Sequence, residues 1–121
     1  MKISLQEIEF GSDMVEQTKN FYQSIFGLEA TIDKQNLTVF TLATNSIDLN
    51  ISTHIPPKST CISFLTDDLQ EIMERLTSNS IKFEGPKPSH LGMTSIEFRD
   101  PTGNIVRVNQ FADTTDVDRP S

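Results

Sequence analysis

The most regular hydrophobic pattern lies near the end of the sequence, between Thr94 and Phe111, in TSIEFRDPTGNIVRVNQF. Apolar residues alternate with polar ones in two runs, and the segment DPTGN at positions 100–104 separates the runs. Alternation with a period of two predicts strands that bury one face. Asp, Pro, Gly and Asn favour turns because of their backbone preferences and short side chains. We therefore predict a β-hairpin with one apolar side and one polar side.

Similar patterns predict further strands elsewhere in the chain, with a turn at Asn45-Ser46. A Pro- and Gly-rich segment at residues 85–92 is predicted to be a loop, because these residues interrupt strand pairing. The further predicted strands cover residues 3–10, 28–33, 37–43, 46–53, 61–66 and 81–84.

A first helix is predicted to begin at Ser12 and Asp13. Asp13 with Glu16 three residues later has the spacing of a capping box, and Gly27 is typical of the residue that follows a helix. Apolar residues recur at helical spacing, which predicts a face that packs against a sheet. This face comprises Met14, Thr18, Phe21 and Ile25, widened by Val15, Tyr22 and Phe26.

A second helix is predicted to begin at Asp67 and Asp68, with Glu71 as the capping-box partner. Asn79 is predicted to end this helix in the left-handed conformation, which Asn tolerates better than most residues. The apolar face of the second helix comprises Leu69, Ile72, Met73 and Leu76.

The order of elements repeats. Glu7–Phe10 matches Cys61–Phe64 at an offset of 54 residues, and Ile47–Leu49 matches Val106–Val108 at an offset of 59. The segment HIPPK at 54–58 cannot continue a strand and is predicted to link the two copies. We predict an α+β fold with two βαβββ modules in a single domain, and a flexible tail. The predicted bounds are 1–54 and 60–111 for the modules, 1–111 for the domain and 112–121 for the tail.

Charge and cysteine content restrict the function. Ten basic residues against seventeen acidic ones give a net charge of −7, which argues against a nucleic-acid partner. Cys61 is the single cysteine, so no intrachain disulfide can form and a reducing compartment is expected. The N-terminal segment does not resemble a signal peptide, and no apolar run reaches the roughly 20 residues of a membrane span. We expect a cytoplasmic protein with no membrane partner.

Two motifs resemble those of a known superfamily. FYQSIFGLE, from Phe21 to Glu29, resembles the FY…LG segment of the vicinal-oxygen-chelate superfamily. FRDPTGNIV, from Phe98 to Val106, is similar to that superfamily's F.DP.GN hairpin. This group includes glyoxalase I, bleomycin-resistance proteins, fosfomycin-resistance enzymes and extradiol dioxygenases. The resemblance spans residues 3–111 and implies two βαβββ modules that form a cup, in many members at a homodimer interface.

In the metal-dependent members, the first and last strands of each module supply the metal ligands. At those four places this sequence has Glu7 (or Gln6, if the register differs by one), Asp48, Cys61 and Arg107. A guanidinium group stays protonated and has no lone pair to donate, so Arg107 cannot ligate a divalent ion. Placed there, Arg107 is expected to pair with the carboxylates of Glu7 and Asp48, either as a structural ion pair or as part of a ligand site.

The predicted strands leave many polar residues on the side away from the helices. Their number predicts a cup that is open to solvent and ligand, because a closed core does not tolerate many unpaired polar groups. His54 and His90, in the linker and the loop, could also reach a ligand. The predicted ligand-binding residues are Glu7, Glu9, Asp48, Asn50, Cys61, Ser63, Arg107 and Asn109, with Ser52 on the same side.

Three functions remain open at this point. The first is a metal-free protein that binds a small polar or cationic molecule, as bleomycin-resistance proteins do. The second is a glyoxalase-like lyase, isomerase or dioxygenase that uses a divalent metal, for which only Glu7 and Asp48 are available as ligands. The third is a module that binds a different small molecule or a protein partner. We expect no cofactor and no metal under the first hypothesis. No catalytic residue can be assigned, and Cys61 is predicted to be a small buried residue rather than a nucleophile.

Overall fold

The computed structural model describes residues 1–42 and 47–111. It confirms the α+β class and the βαβββ order, which occurs twice. The predicted turn at Asn45-Ser46 and the predicted flexible tail lie outside the described residues. The strands are β1 (Ile3–Gly11), β2 (Ala30–Lys34), β3 (Leu37–Leu42), β4 (Ile47–Ser52), β5 (Thr60–Thr66), β6 (Glu84–Pro88), β7 (Met93–Arg99) and β8 (Ile105–Phe111). The helices are α1 (Val15–Phe26) and α2 (Leu69–Ser78), and a short 3₁₀ turn covers His90–Gly92.

The chain divides into two compact units. The first unit is Gln6–Ile62. The second unit combines Met1–Leu5 with the described residues 63–111, so the beginning of β1 belongs to the second unit. Lys2 takes part in this second unit, since its backbone N–H donates to Asp67 Oδ1 at 2.8 Å and its carbonyl accepts from Thr66 Oγ1 at 3.1 Å.

The strand order of the first unit is β2-β3-β4-β1, with β1 and β4 parallel and the other neighbours antiparallel. The helix α1 covers the face that carries Phe40 and Ile51, both of which are fully buried. Val15 of α1 is buried against them, and Tyr22 packs at the edge of the same cluster. This cluster is the core of the first unit.

The strand order of the second unit is β5-β8-β7-β6, which repeats the order of the first. Ile96 and Val108 are directly paired across β7 and β8 and are buried beneath Leu69 and Leu76 of α2. Phe64 of β5 packs against the same cluster. Neither described helix has the length and apolar character that crossing a membrane requires.

The two helices begin differently. The side chain of Asp68 accepts a hydrogen bond from the Glu71 N–H at 3.0 Å, as the sequence predicted for α2. The capping box predicted at Asp13 is wrong: Met14 is the N-cap of α1 and contributes no side-chain cap. Ser12 serves this end instead, because its hydroxyl accepts from the Met14 N–H at 2.9 Å.

The helix ends agree with prediction for α1 but not for α2. Gly27 follows α1 in the left-handed conformation, with φ of 68°. The predicted left-handed conformation of Asn79 is wrong, since its φ is −100°. Ser80, one residue later, takes the positive φ of 59°. The Asn79 side chain caps the helix by a hydrogen bond to the Arg75 carbonyl at 2.8 Å, and this bond favours the conformation observed.

The predicted face of α1 is also wrong in part. Met14 and Phe21 are 54% exposed, and Ile25 and Phe26 are 63% exposed. The residues buried on α1 are Val15 and Lys19, so the packed stripe is rotated by about one position from the predicted one. A helix turns 100° per residue, so such an offset moves four apolar side chains toward solvent.

The second module departs from prediction at its edge. The structure places β6 at Glu84–Pro88, where the sequence predicted the end of a strand followed by a loop. Among the described strands β6 lies at the end of the order, next to β7, so a proline in it does not interrupt a second ladder there. Its register shifts between Glu84 and Lys87. Gly85 lies at this shift. A side chain does not fit there, because a Cβ would lie 2.7 Å from the Ser95 carbonyl oxygen.

The predicted hairpin between β7 and β8 is present, and Asp100 organises its turn. The Asp100 carboxylate accepts hydrogen bonds from the N–H groups of Thr102 and Asn104, each at 2.9 Å, and from Asn104 Nδ2 at 3.0 Å. The bonds from the Asn104 side chain and backbone lower the pKa of Asp100 below its ordinary value of 3.8. The turn residues therefore act as the sequence suggested.

Candidate functional site

The first unit carries a polar surface on the side of β1 and β4 away from α1. In the parallel register Glu7 lies opposite Asp48, and Glu9 lies opposite Asn50. Because directly opposite residues point to the same side of a sheet, these side chains share one face. Two positions further along each strand, Gly11 lies opposite Ser52. We call this surface the β1–β4 polar face; it comprises Glu7, Glu9, Asp48, Asn50 and Ser52.

Hydrogen bonds connect β4 to β1 across this face. Asn50 Nδ2 donates to Glu7 Oε2 at 3.2 Å, and Ser52 Oγ donates to Glu9 Oε2 at 2.5 Å. Glu9 is 5% exposed, Asn50 9% and Ser52 0%. The expectation that this side is open to solvent is therefore wrong at these three residues. Glu9 and Ser52 tolerate burial because they pair with each other, and the Asn50 NH₂ group pairs with Glu7.

The opposite end of the face is more accessible. Glu7 and Asp48 are half-buried, and Thr41 of β3, which lies opposite Asp48, is exposed. The Thr41 hydroxyl donates to Asp48 Oδ1 at 2.9 Å, and Thr31 of β2 lies 3.0 Å from Thr41 Oγ1. Polar contacts thus continue from β1 to β2, and a ligand would meet Asp48 and Glu7 before the buried residues.

A histidine lies at the buried end of the face. His54 Nδ1 is 3.9 Å from Glu9 Oε2, and its backbone N–H donates to Ser52 Oγ at 3.2 Å. The chain turns sharply after β4, and this turn brings the imidazole, whose side chain is 60% exposed, beside the buried carboxylate. His90 belongs to the second unit, where its Nδ1 lies 3.3 Å from Ser89 Oγ.

The path of residues 54–59 is fixed by close packing on the end of β1. Gly11 donates its N–H to the Ser59 carbonyl at 3.0 Å and accepts from the Lys58 N–H at 3.2 Å. A Cβ at Gly11 would lie 2.0 Å from the Pro56 carbonyl oxygen, so only glycine fits. This close approach holds the predicted linker, and with it His54, against the polar face.

Two predicted site residues of the second unit, Arg107 and Asn109, lie on β8. Arg107 lies opposite Glu97 in the β7–β8 register, and Arg107 Nη2 is 3.0 Å from Glu97 Oε1. Asn109 lies opposite Ser95, and both are buried. The predicted pairing of Arg107 with Glu7 and Asp48 stays a prediction, because these carboxylates belong to the other unit.

The two predicted residues on β5 are fully buried. Cys61 and Ser63 each have 0% exposure. The burial of the Cys61 thiol agrees with the prediction that it is a small packed residue. Cys61 falls in the first unit and Ser63 in the second, since the boundary between the units follows Ile62.

One charged cluster of the first unit was missed by sequence reasoning. Lys19 Nζ is 3.0 Å from Glu16 Oε1 and 3.1 Å from Asp33 Oδ2, although Lys19 sits on the packed side of α1. Hydrogen bonds to Glu16 and Asp33 raise the pKa of Lys19 above its ordinary value of 10.5. The fully buried Thr38 hydroxyl donates to Asp33 Oδ1 at 3.4 Å. The cluster ties α1 to β2, and its signal in the sequence is only the helical spacing of Val15, Lys19 and Tyr22.

The second unit also has a surface groove of about 520 Å³ between α2 and β6. Its lining includes Met73, Glu74, Phe83 and Pro86. None of the predicted site residues contributes to it. The β1–β4 polar face of the first unit is therefore the better candidate for a ligand-binding site.

The fold and the duplicated strand order define a class of protein built from paired βαβββ modules. The sequence profile of the Glyoxalase/Bleomycin resistance protein/Dioxygenase superfamily matches residues 4–108. The chain belongs to this superfamily, which confirms the resemblance seen in its motifs. A search of curated protein sequences found no match.

Solved structures agree with this assignment. A glyoxalase/bleomycin resistance protein/dioxygenase superfamily member from Vibrio splendidus 12B01 is 16% identical, with a TM-score of 0.67 over 90% of this chain and 99% of that chain. A variant of Streptomyces coelicolor methylmalonyl-CoA epimerase in complex with 2-nitronate-propionyl-CoA is 13% identical, with a TM-score of 0.64 over 90% and 97%. A structure described as NAD-dependent benzaldehyde dehydrogenase from Legionella pneumophila is 16% identical, with a TM-score of 0.64 over 87% and 97%. At these identities the likeness shows the fold alone.

The residues present do not fit the divalent metal ion that many relatives of this type use. Each carboxylate of the β1–β4 polar face already accepts a hydrogen bond, Glu7 from Asn50, Glu9 from Ser52 and Asp48 from Thr41. Within residues 1–42 and 47–111, no group of three or more His, Cys, Asp or Glu side chains is arranged to hold a metal ion. Arg107, at the fourth of the places that supply ligands in metal-dependent relatives, has no lone pair to offer.

Proposed function

We propose that the protein binds a small polar or cationic molecule at the β1–β4 polar face, without a metal ion. The observation that carries the proposal is the presence of three carboxylates, Glu7, Glu9 and Asp48, on the same side of two adjacent parallel strands. This concentration of negative charge attracts a cation.

Partial burial of the carboxylates supports the same function. The attraction between opposite charges grows as the surrounding dielectric constant falls, so a carboxylate removed from bulk water binds a cation more strongly than an exposed one. Glu9 is 5% exposed, and Glu7 and Asp48 are half-buried. Hydrogen bonds from Asn50, Ser52 and Thr41 hold the carboxylates in place before a ligand arrives.

A thermal-shift screen followed by calorimetry tests the proposal. Cationic compounds, including bleomycin, should raise the melting temperature, because a ligand at 100 times its Kd stabilises the folded state by about 2.7 kcal/mol. Asp48→Asn should weaken binding, because it removes a charge at the accessible end of the face. Glu29→Gln is the matched control, since it removes one charge from an exposed position of the same unit. No stabilisation by any cationic compound at millimolar concentration would refute the proposal.

Metal analysis separates this proposal from the metal-dependent alternative. Protein purified without chelator should contain no stoichiometric Ni, Zn, Mn or Fe, and adding these ions should leave the melting temperature unchanged. Tight stoichiometric binding of any of them would favour a glyoxalase-like lyase, isomerase or dioxygenase instead. Dimerisation and a cytoplasmic location remain predictions, and size-exclusion chromatography with light scattering tests the first of them.

A further inference from the structure

The amide of Asn50 is a buried group whose hydrogen bonding is incomplete. Its Nδ2 donates to Glu7 Oε2, while its Oδ1 is buried and has no hydrogen-bond partner. The orientation of the amide is fixed by chemistry, because an ionised carboxylate only accepts hydrogen bonds and must face the NH₂ group. Asn50 is 9% exposed. A buried carbonyl oxygen without a partner is destabilising, so it indicates a group that is bound there in function.

The neighbours of Asn50 cannot supply the missing donor. Across the sheet Asn50 lies opposite Val39, which has an apolar side chain, and Glu9, whose carboxylate accepts from Ser52. The Ser52 hydroxyl uses its one hydrogen on Glu9, and the Thr41 hydroxyl uses its one hydrogen on Asp48. The described polar atoms of this face therefore offer mainly acceptors.

We infer that the ligand of the β1–β4 polar face carries N–H donors, as a primary ammonium or guanidinium group, and that Asn50 Oδ1 accepts one of them. This inference rests on the proposed function and narrows it to one chemical class. An anion would be repelled by the three carboxylates. A quaternary ammonium ion would satisfy the charge but would leave the Asn50 carbonyl without a donor.

The geometry also separates this ligand from a metal ion. A divalent ion needs several donor atoms at about 2.0–2.6 Å around one point, and the described acidic and histidine side chains do not form such a group. An ammonium or guanidinium group instead donates hydrogen bonds in separate directions, with each donor nitrogen about 3 Å from its acceptor. Acceptors spread along two strands, as here from Asp48 to Glu9, match donors that are likewise spread apart.

The test compares cations of equal charge on the unmodified protein. Butylammonium, butylguanidinium and butyltrimethylammonium are titrated at constant ionic strength, with binding read by calorimetry and by melting temperature. The two N–H donors should bind at least about tenfold more tightly than butyltrimethylammonium, which corresponds to the loss of one charge-assisted hydrogen bond. In Asn50→Leu, which keeps the branching and the number of side-chain heavy atoms, this preference should shrink.

Each other outcome contradicts a definite part of the argument. Equal binding of all three cations would refute the inference about N–H donors and leave the cation-binding proposal standing. No binding of any of them, with binding of Mg²⁺ or Mn²⁺ instead, would refute both. An unchanged preference in Asn50→Leu would refute the claim that the Asn50 carbonyl accepts a hydrogen bond from the ligand. If Asn50→Leu does not fold, the comparison of the three cations on the unmodified protein still decides the question.

Discussion

The two helices occupy equivalent places in their modules, yet different kinds of side chain attach them to the strands. The buried face of α2 is apolar, with Leu69 and Leu76 packed on Ile96 and Val108. The buried residues of α1 are Val15 and the charged Lys19. The strand order is the same in both units, so one topology accepts either a mainly apolar attachment of its helix or one that combines apolar and ionic contacts. The difference shows that two modules with the same strand order can be stabilised by different interactions between helix and strands.

The exposed side of α1 extends the contrast. Phe21, Ile25 and Phe26 are more than half exposed, and Phe21 and Phe26 both contact Tyr22 by ring packing. On α2, Ile72 and Met73 instead join the core cluster. We therefore expect apolar substitutions to have large effects on α2 and small effects on the outer side of α1.

The largest expected effect is that of Leu76→Ala. Removing most of a buried leucine side chain leaves a cavity and should lower the free energy of unfolding by about 2–5 kcal/mol. Ile25→Ala is the matched substitution on α1, where the side chain is 63% exposed, and it should change stability by no more than about 0.5 kcal/mol. Urea unfolding followed by circular dichroism measures both. Similar losses in the two variants would show that the outer side of α1 is covered in solution.

A smaller effect is expected at Lys19, with a particular pH dependence. The pKa of Lys19 is raised in the folded state by Glu16 and Asp33, so its stabilising contribution is complete below the ordinary pKa of 10.5. The contribution is lost as the pH rises through the folded-state pKa. Lys19→Met should therefore be less stable than the unmodified protein at pH 7, and the difference should narrow above pH 10.5.

Unfolding in urea between pH 7 and 11 checks this prediction. Lys34→Met is the control, because Lys34 is exposed and should show no comparable difference. A stability difference at Lys19 that stays constant over this pH range would mean that packing of its aliphatic part, rather than its charge, ties α1 to β2.

Removing the side chain at the start of each helix should change the free energy of unfolding by amounts that differ by about 1 kcal/mol. Asp68→Ala removes the acceptor of the Glu71 N–H and should destabilise the protein by about 1 kcal/mol, the usual cost of losing such a cap. Asp13→Ala should have almost no effect, because no side-chain cap from Asp13 holds α1. Chemical denaturation compares the two variants directly. A large loss in Asp13→Ala would restore the capping box that the sequence predicted.

The smallest expected effect concerns the end of α2. Ser80 has a φ of 59°, a conformation that glycine adopts without steric cost, so Ser80→Gly should stabilise the protein by about 0.5 kcal/mol. Asn79→Gly should destabilise it, since the Asn79 side chain caps the Arg75 carbonyl from a normal backbone conformation. The melting temperatures of the two variants should therefore move in opposite directions, and a rise in both would contradict this account.

Sequence reasoning recovered the fold because alternation and turn chemistry are local signals. The hairpin turn is fixed by Asp100 and Asn104, which bond to each other within five residues. The strand β6 was missed because its signal is not local. Pro86 and Pro88, taken with their neighbours in sequence, predict a loop. Only the position of β6 at the end of the strand order makes these prolines acceptable.

The candidate site was predicted less completely. Alternation correctly placed Glu7, Glu9, Asp48, Asn50 and Ser52 on one side of their strands. It could not show that Asn50 and Ser52 bond to the glutamates of another strand, because register depends on how distant segments pair. Nor could it place His54 near Glu9, since that position depends on the path of the chain past Gly11. The Lys19 cluster was missed because hydrophobic periodicity assigns a lysine to the solvent side.

The assignment of residues 1–5 to the second unit has a consequence for dividing the gene. Cutting the chain between the repeats, within residues 54–59, gives two fragments that match the duplicated sequence but not the compact units. The first fragment would carry away Lys2, whose backbone bonds to Thr66 and Asp67 belong to the second unit. A split-protein pair made at this point should therefore reassemble through residues 1–5 of the first fragment, which bind to the second fragment.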